Sequence, residues 1–258
     1  FYATFKDDWT VAQGWYDYTA GGSVDTIEFF DALAAEGDQV GPDSSVSFEK
    51  DFAEPMDRMM QLVDNYTNAD APSRAYGDGN LAFGKGEAAM YLQGPWAFSE
   101  IAKTAPDLAL GTFPLPMTDD PADLGVRVNM DLAAMIPVES AHQEAARDFL
   151  EYLFLPENIE AYNASQLGFT PTTDAPAPDD PRIEGMIEYY ENGQIYQGPS
   201  VLVPKTIPVM NYAQAMVLGA STTSTLRTMD ADWARIAFRA PIPKTDDAAS
   251  GETEESAP

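Results

Sequence analysis

The chain has 258 residues, 45% of them hydrophobic, enough for a sizeable core. Its 42 Asp and Glu against 14 Lys and Arg give a formal charge of −28, which repels phosphate backbones and anionic lipid heads and so sets nucleic acid and acidic membrane surfaces aside as partners. There is no Cys and His142 is the single His, which removes disulfides, thiolate zinc sites, cysteine nucleophiles and His-built metal centres.

Phe1 to Phe5 reads as the inside of a strand, with no initiator Met or signal-like start before it. A fragment whose N-terminal part and any export signal are missing is expected. Asp7 and Asp8 follow, then Trp9, where that strand would end. Val24, Ile27 and Phe30 at helical spacing predict a helix over 23–36 that Gly37 stops. Phe52, Met56, Met60 and Val63 recur at intervals of four, four and three, predicting a second helix with those residues on its buried face. A polar, turn-rich stretch over 67–78 precedes an apolar strand over 87–92, which breaks at Gly94-Pro95 directly before Trp96.

A Pro-rich connection at Phe113 to Pro116 and an acidic loop at 119–123 lead to another expected strand over 132–138. Ser140 with Gln143 has the spacing of a capping box, predicting a helix whose buried stripe is Ala146, Phe149, Leu150 and Leu153 and which breaks at Pro156. A Pro and Asp loop over 174–181, a helix over 183–190 and another starting over 212–218 complete the ordered part. Beyond Arg239 there is no aromatic residue, and 238–258 is expected to be a disordered acidic tail. Strands alternating with helices point to an α/β architecture. No stretch approaches the roughly 20 apolar residues that a membrane span needs.

Several motifs fall short of a chemistry. Gly79 to Lys85 has the spacing of a phosphate-cradling loop, but Gly86 stands where a hydroxyl must hold magnesium. Ser47 and Lys50 match a Ser-x-x-Lys pair without its partner motifs. With 42 acids, some pair of carboxylates always suits glycoside hydrolysis, so spacing alone argues nothing. Neither acidic loop has the regular Asp spacing of an EF-hand. No catalytic residue, metal site or cofactor is expected.

What remains is aromatic rings beside polar groups, Trp9 next to Asp8 and Trp96 after a Gly-Pro break, which suits the apolar face and hydroxyl rim of a sugar. The ordered set of Phe83-Gly84-Lys85-Gly86-Glu87-Ala88-Ala89-Met90, Gly94-Pro95-Trp96, Gly111-Thr112-Phe113-Pro114-Leu115-Pro116, Ala145 to Leu153, Pro156-Glu157 and Gly168-Phe169-Thr170-Pro171 spans most of the chain. It resembles the hallmark of the bacterial extracellular solute-binding proteins of carbohydrate ABC transporters, the family that includes maltose-binding protein.

The resemblance implies a type II periplasmic-binding-protein-like α/β fold, with two lobes around a ligand cleft joined by crossing hinge segments. Residues 1–127 and 171–237 would belong to the C-terminal lobe, and 128–170 would return to the N-terminal lobe. It implies a monomeric, extracytoplasmic receptor, periplasmic or lipid-anchored, that delivers a sugar or oligosaccharide to ABC permease subunits and catalyses nothing. Trp96 is the expected sugar-stacking ring, with Phe98 either a second aromatic of the site or a core residue. Trp9 and Asp8 would contact ligand from the end of the first strand, Asn129 and Asp131 from the crossing segment, and Phe169 and either Met210 or Tyr212 from further along. A secreted carbohydrate-active enzyme and a receptor for a non-sugar polar solute are the competing readings.

Overall fold

The computed structural model describes residues 1–130, 133–169 and 178–237. Asp131, Leu132, Thr170 and Pro171, the loop at 174–177 and the 238–258 tail, all subjects of expectations above, lie outside the described residues.

Phe1 to Phe5 is extended but forms no strand. Its backbone N–H groups are taken up by three different neighbours: Tyr2 donates to the Met90 carbonyl (2.9 Å), Ala3 to the Asn68 side chain (2.7 Å) and Phe5 to the Ala71 carbonyl (2.9 Å). Tyr2 and Tyr91 make one isolated parallel bridge, so the strand expected over 87–92 shrinks to that single residue. A π-helix, Thr10–Tyr16, then runs directly into α1 (Asp17–Gly21). Next, α2 (Thr26–Glu36) begins where the Asp25 carboxylate accepts from the N–H groups of Ile27 and Glu28, and ends at Gly37 with φ +60°.

Ser47 caps α3 (Phe48–Asp51), and α4 (Ala53–Tyr66) follows. Its buried face is Met56, Met59 and Val63, continuous with Phe52, while Met60 is only partly buried. At 3.6 residues per turn, position i+7 returns closer to Phe52 than i+8, which puts Met59 rather than Met60 at the centre of the stripe. The Gly79 to Lys85 run falls within and just past α5 (Tyr76–Gly84), a helix body rather than a loop opening onto a helix N-terminus, so it makes no phosphate cradle.

Beyond the Gly94-Pro95 break lies α6 (Ala97–Ala102). The chain then forms β1 (Val126–Arg127), α7 (Gln143–Leu153), α8 (Pro156–Gln166), α9 (Glu184–Glu191) and β2 (Ile195–Tyr196). The two strands pair in parallel, Val126 with Ile195 and Arg127 with Tyr196. They therefore bring the two ends of the intervening segment, 128–194, side by side. Finally come α10 (Pro199–Leu202), α11 (Val209–Val217) and α12 (Thr222–Ala237).

The expected strand over 132–138 is not paired over its described residues. An apolar run needs a neighbouring ladder to become a strand, and none lies beside it among the described residues. The capping box at Ser140 does not form either. His142 occupies the N-cap position of α7, Ser140 Oγ accepts from the His142 N–H (3.2 Å), and the Gln143 side chain bonds to the Val138 carbonyl. The stripe on α7 is helical as expected but not buried: Phe149 is 61% exposed, and Ala146, Leu150 and Leu153 are half-buried. Met135, Val138 and Tyr152 are exposed around it, and no described residue covers them.

The main core lies elsewhere. Phe29, Phe30, Phe48, Phe52 and Trp233 pack ring to ring with centroids between 4.7 and 6.3 Å apart. Around them the buried cluster draws only on residues 3–71 and 203–233, so both ends of the described chain share one core. Its polar anchor is Asp230 of α12, whose carboxylate accepts from the N–H groups of Phe48 (2.7 Å) and Glu49 (3.2 Å) and so supplies the open end of α3 with acceptors from 182 residues away. Replacing Asp230 with Ala leaves those donors with no acceptor and is expected to cost about 1–3 kcal/mol, read as a lower urea midpoint with an unchanged m-value.

Candidate functional site

Trp96 stands where Pro95 has ended the preceding run and α6 begins, its backbone already helical at φ −55° and ψ −26°. Three contacts fix its ring. The indole N–H donates to Gln93 Oε1 (3.0 Å). The six-membered ring lies over Gly94, where a Cβ would overlap it. The Arg127 guanidinium sits 5.9 Å from the ring centroid. The indole stays half-buried.

Arg127 comes from β1 and its guanidinium also lies 5.0 Å from the Tyr18 ring. Its Nη1 donates to Asp17 Oδ2 at 2.9 Å, and the two side chains are 7% and 0% exposed. Asp17 further accepts from the Ser200 N–H and the Ser200 hydroxyl, both at 2.8 Å. Burial pushes the Asp17 carboxyl above its ordinary range, against the pull of Arg127 and Ser200. A Cβ on Gly198 would overlap that carboxylate, so only glycine lets the chain after β2 approach it. Asn129 belongs to the same knot: its Oδ1 accepts from the Gly198 N–H at 2.9 Å, tying the residues that follow β1 to those that follow β2.

The other expected site residues are distributed around this centre. Trp9 lies on the helical turn that opens the π-helix rather than at a strand end, and its ring tilts against Tyr76 with centroids 5.0 Å apart. Asp8 is half-buried beside it, while the neighbouring Asp7 carboxylate is the acceptor for the Tyr76 N–H (2.7 Å). Phe98 is 7% exposed and lies 5.0 Å beneath the Arg182 guanidinium, a packed position. Arg182 is clamped by Asp180 through bonds of 2.9 and 2.6 Å, and that pairing brings the Asp180 carboxyl down to about 2. A cavity of about 130 Å3 lies here between α6 and the end of α8, lined by Pro95, Phe98, Ser99 and Ala102 on one side and Ser165, Gln166 and Leu167 on the other. Phe169 stacks on Tyr190 at 3.8 Å. Met210 packs against the core, and the Tyr212 hydroxyl donates to Asp232 of α12 (2.7 Å).

Thus Trp96 and Asn129 share a neighbourhood, built on Asp17, Tyr18, Arg127 and Ser200, which sequence reading did not single out. A signal was present: Asp17 is an acid inside the apolar run Val11 to Ala20, and Arg127 is a cation between two valines. A charge in such a setting is buried only with a partner.

Residues 2–184 match the family described as bacterial extracellular solute-binding protein. An uncharacterized ABC transporter extracellular-binding protein of Pyrococcus horikoshii is 27% identical over 146 residues, 55% of this chain and 32% of that protein. Among solved structures, the SBP RafE in complex with raffinose superposes with a TM-score of 0.71 at 19% identity, over 92% of this chain and 61% of RafE. The chain thus spans about a third of the curated relative and under two thirds of the solved one. No helix among the described residues is long and apolar enough to cross a membrane.

Two expectations follow from this geometry. Gly94→Ala pushes the indole off its seat, so it should alter tryptophan emission in the otherwise wild-type protein and leave a Trp96→Phe background unchanged. Tyr212 has its pKa pushed up from 10.0 to about 12 by burial and then by the Asp232 carboxylate. A raised folded-state pKa means that this group's contribution is intact below 10.0 and lost as the pH climbs through about 12. Urea titrations of wild type and Tyr212→Phe should therefore converge across that window.

Proposed function

The chain belongs to the bacterial extracellular solute-binding protein family and has its periplasmic-binding-protein-like α/β fold, and we propose that it serves as the capture component of a carbohydrate ABC transporter. It would hold a sugar or oligosaccharide in a cleft, close on it, and hand it unchanged to membrane permease subunits. The observation that carries this reading is Trp96, a half-buried indole held by Gln93, Gly94 and Arg127. A flat ring fixed in this way suits the C–H face of a pyranose. The raffinose bound to RafE supports a saccharide as the ligand class.

Residues 1–127 and 171–237 would form one lobe, and 128–170 would contribute to the other. That division is supported by a buried cluster drawn from both ends of the chain and by the β1–β2 pair through which the middle segment leaves and returns. Ligand that touches both lobes only when they are shut would shift the balance towards closure by its differential affinity. Trp9 and Asp8 would add a second ring and a charged acceptor for hydroxyls. Asn129 would offer its amide Nδ2, since Oδ1 is taken by Gly198.

Isothermal titration of the full-length protein with raffinose and a panel of mono- and oligosaccharides tests this. Saturable, stoichiometric heat is expected from at least one sugar, with the ligand recovered intact and affinity at least about tenfold weaker in Trp96→Ala, equivalent to about 1.4 kcal/mol. Silence across the panel would move the ligand to another polar solute. New products would mean an enzyme.

A further inference from the structure

The chain has 14 basic residues against 42 acidic ones, so acidic partners for a surface cation are plentiful. Arg127 is nonetheless drawn inside. Of the ion pairs among the described residues, Arg127–Asp17 is the one with both side chains under a tenth exposed; in each of the others both partners are at least 17% exposed. Burying a charge pair is costly unless its geometry serves a purpose. Here the guanidinium is held by one carboxylate and two aromatic rings, Tyr18 at 5.0 Å and Trp96 at 5.9 Å, while its Nε is buried without a hydrogen-bond partner. The group is therefore held by one carboxylate bond and two ring contacts rather than by a full set of acceptors.

The same Asp17 carboxylate accepts twice from Ser200, at the start of α10 and directly beyond β2. One carboxylate thus joins the helix after the π-helix, the outgoing strand β1 and the chain leaving β2, and Arg127 extends that junction to Trp96. We propose that Arg127 is a positioning residue for Trp96, holding the indole at a fixed attitude to the β1–β2 pair so that the aromatic platform moves as one body with the root of the strand crossing. As a role in ligand binding this rests on the reading of Trp96 as the sugar platform; as a statement of geometry it does not. A planar, delocalised guanidinium suits the task and an ammonium does not, because it stacks on one ring while its edge is held by the carboxylate.

The test uses full-length protein labelled with 5-fluorotryptophan, in which the resonances of Trp9, Trp15, Trp96 and Trp233 are assigned by single Trp→Phe substitutions. Arg127→Lys is expected to shift or broaden the Trp96 resonance and leave those of the core residues Trp15 and Trp233 in place; Arg127→Met should do the same more strongly. In titration with the best-binding sugar of the panel, Arg127→Lys should weaken affinity about three- to thirtyfold, and that loss should vanish in a Trp96→Phe background. The proposal is overturned if the Trp96 resonance stays where it is in Arg127→Lys, if Trp15 and Trp233 move together with it, or if the affinity loss persists undiminished without Trp96. Should no sugar bind wild-type protein, the sugar reading falls, and the resonances alone decide whether Arg127 positions the ring.

Discussion

Everything around the candidate site depends on one buried carboxylate. Asp17 has no exposed surface, and an ion in that position is tolerated only if its lone pairs are used. Arg127 and the two groups of Ser200 use them. Because those donors come from segments 110 and 183 residues away, satisfying a single side chain brings three distant pieces of chain to one point. The requirement extends to the backbone, since the residue preceding Pro199 must be glycine to come so close.

Beside this junction the aromatic core works by a different force. Its rings are apolar and adaptable, and they draw the start and end of the described chain into one cluster, with Asp230 and the Trp233 indole among its polar fasteners. The Trp233 N–H donates to the Leu33 carbonyl at 3.2 Å, so even the largest core side chain has its polar edge paired. Burial there supplies stability, and the Asp17 junction supplies geometry.

Helix α7, between the strands, shares in neither. On α7 the apolar stripe faces outward, with Phe149 and Tyr152 more than half exposed, although its spacing is that of a core-facing helix. Periodicity states which face of a helix requires cover but not what provides it. That distinction separates α2, whose expected end and Gly37 stop hold although it starts at Thr26 rather than 23, from α7, whose expected helix forms but whose expected burial does not.

The sequence by itself determined the helices with regular apolar spacing, the Gly-Pro break that leads into Trp96, the family resemblance and the exclusion of thiol and histidine chemistry. Each of these is local, a matter of spacing over a few residues or of composition. Only the tertiary structure decided that Met59 rather than Met60 is central, that the apolar runs at 1–5, 87–92 and 133–138 find no ladder, that Trp9 begins a helix, and that Tyr212 is engaged by Asp232. It also brought Arg127 and Asp17 to the ring of Trp96. Those outcomes depend on partners scores of residues away, and the identity of a hydrogen-bond or packing partner at such separation is not encoded in any local pattern; it emerges when the whole chain satisfies its buried polar groups at once.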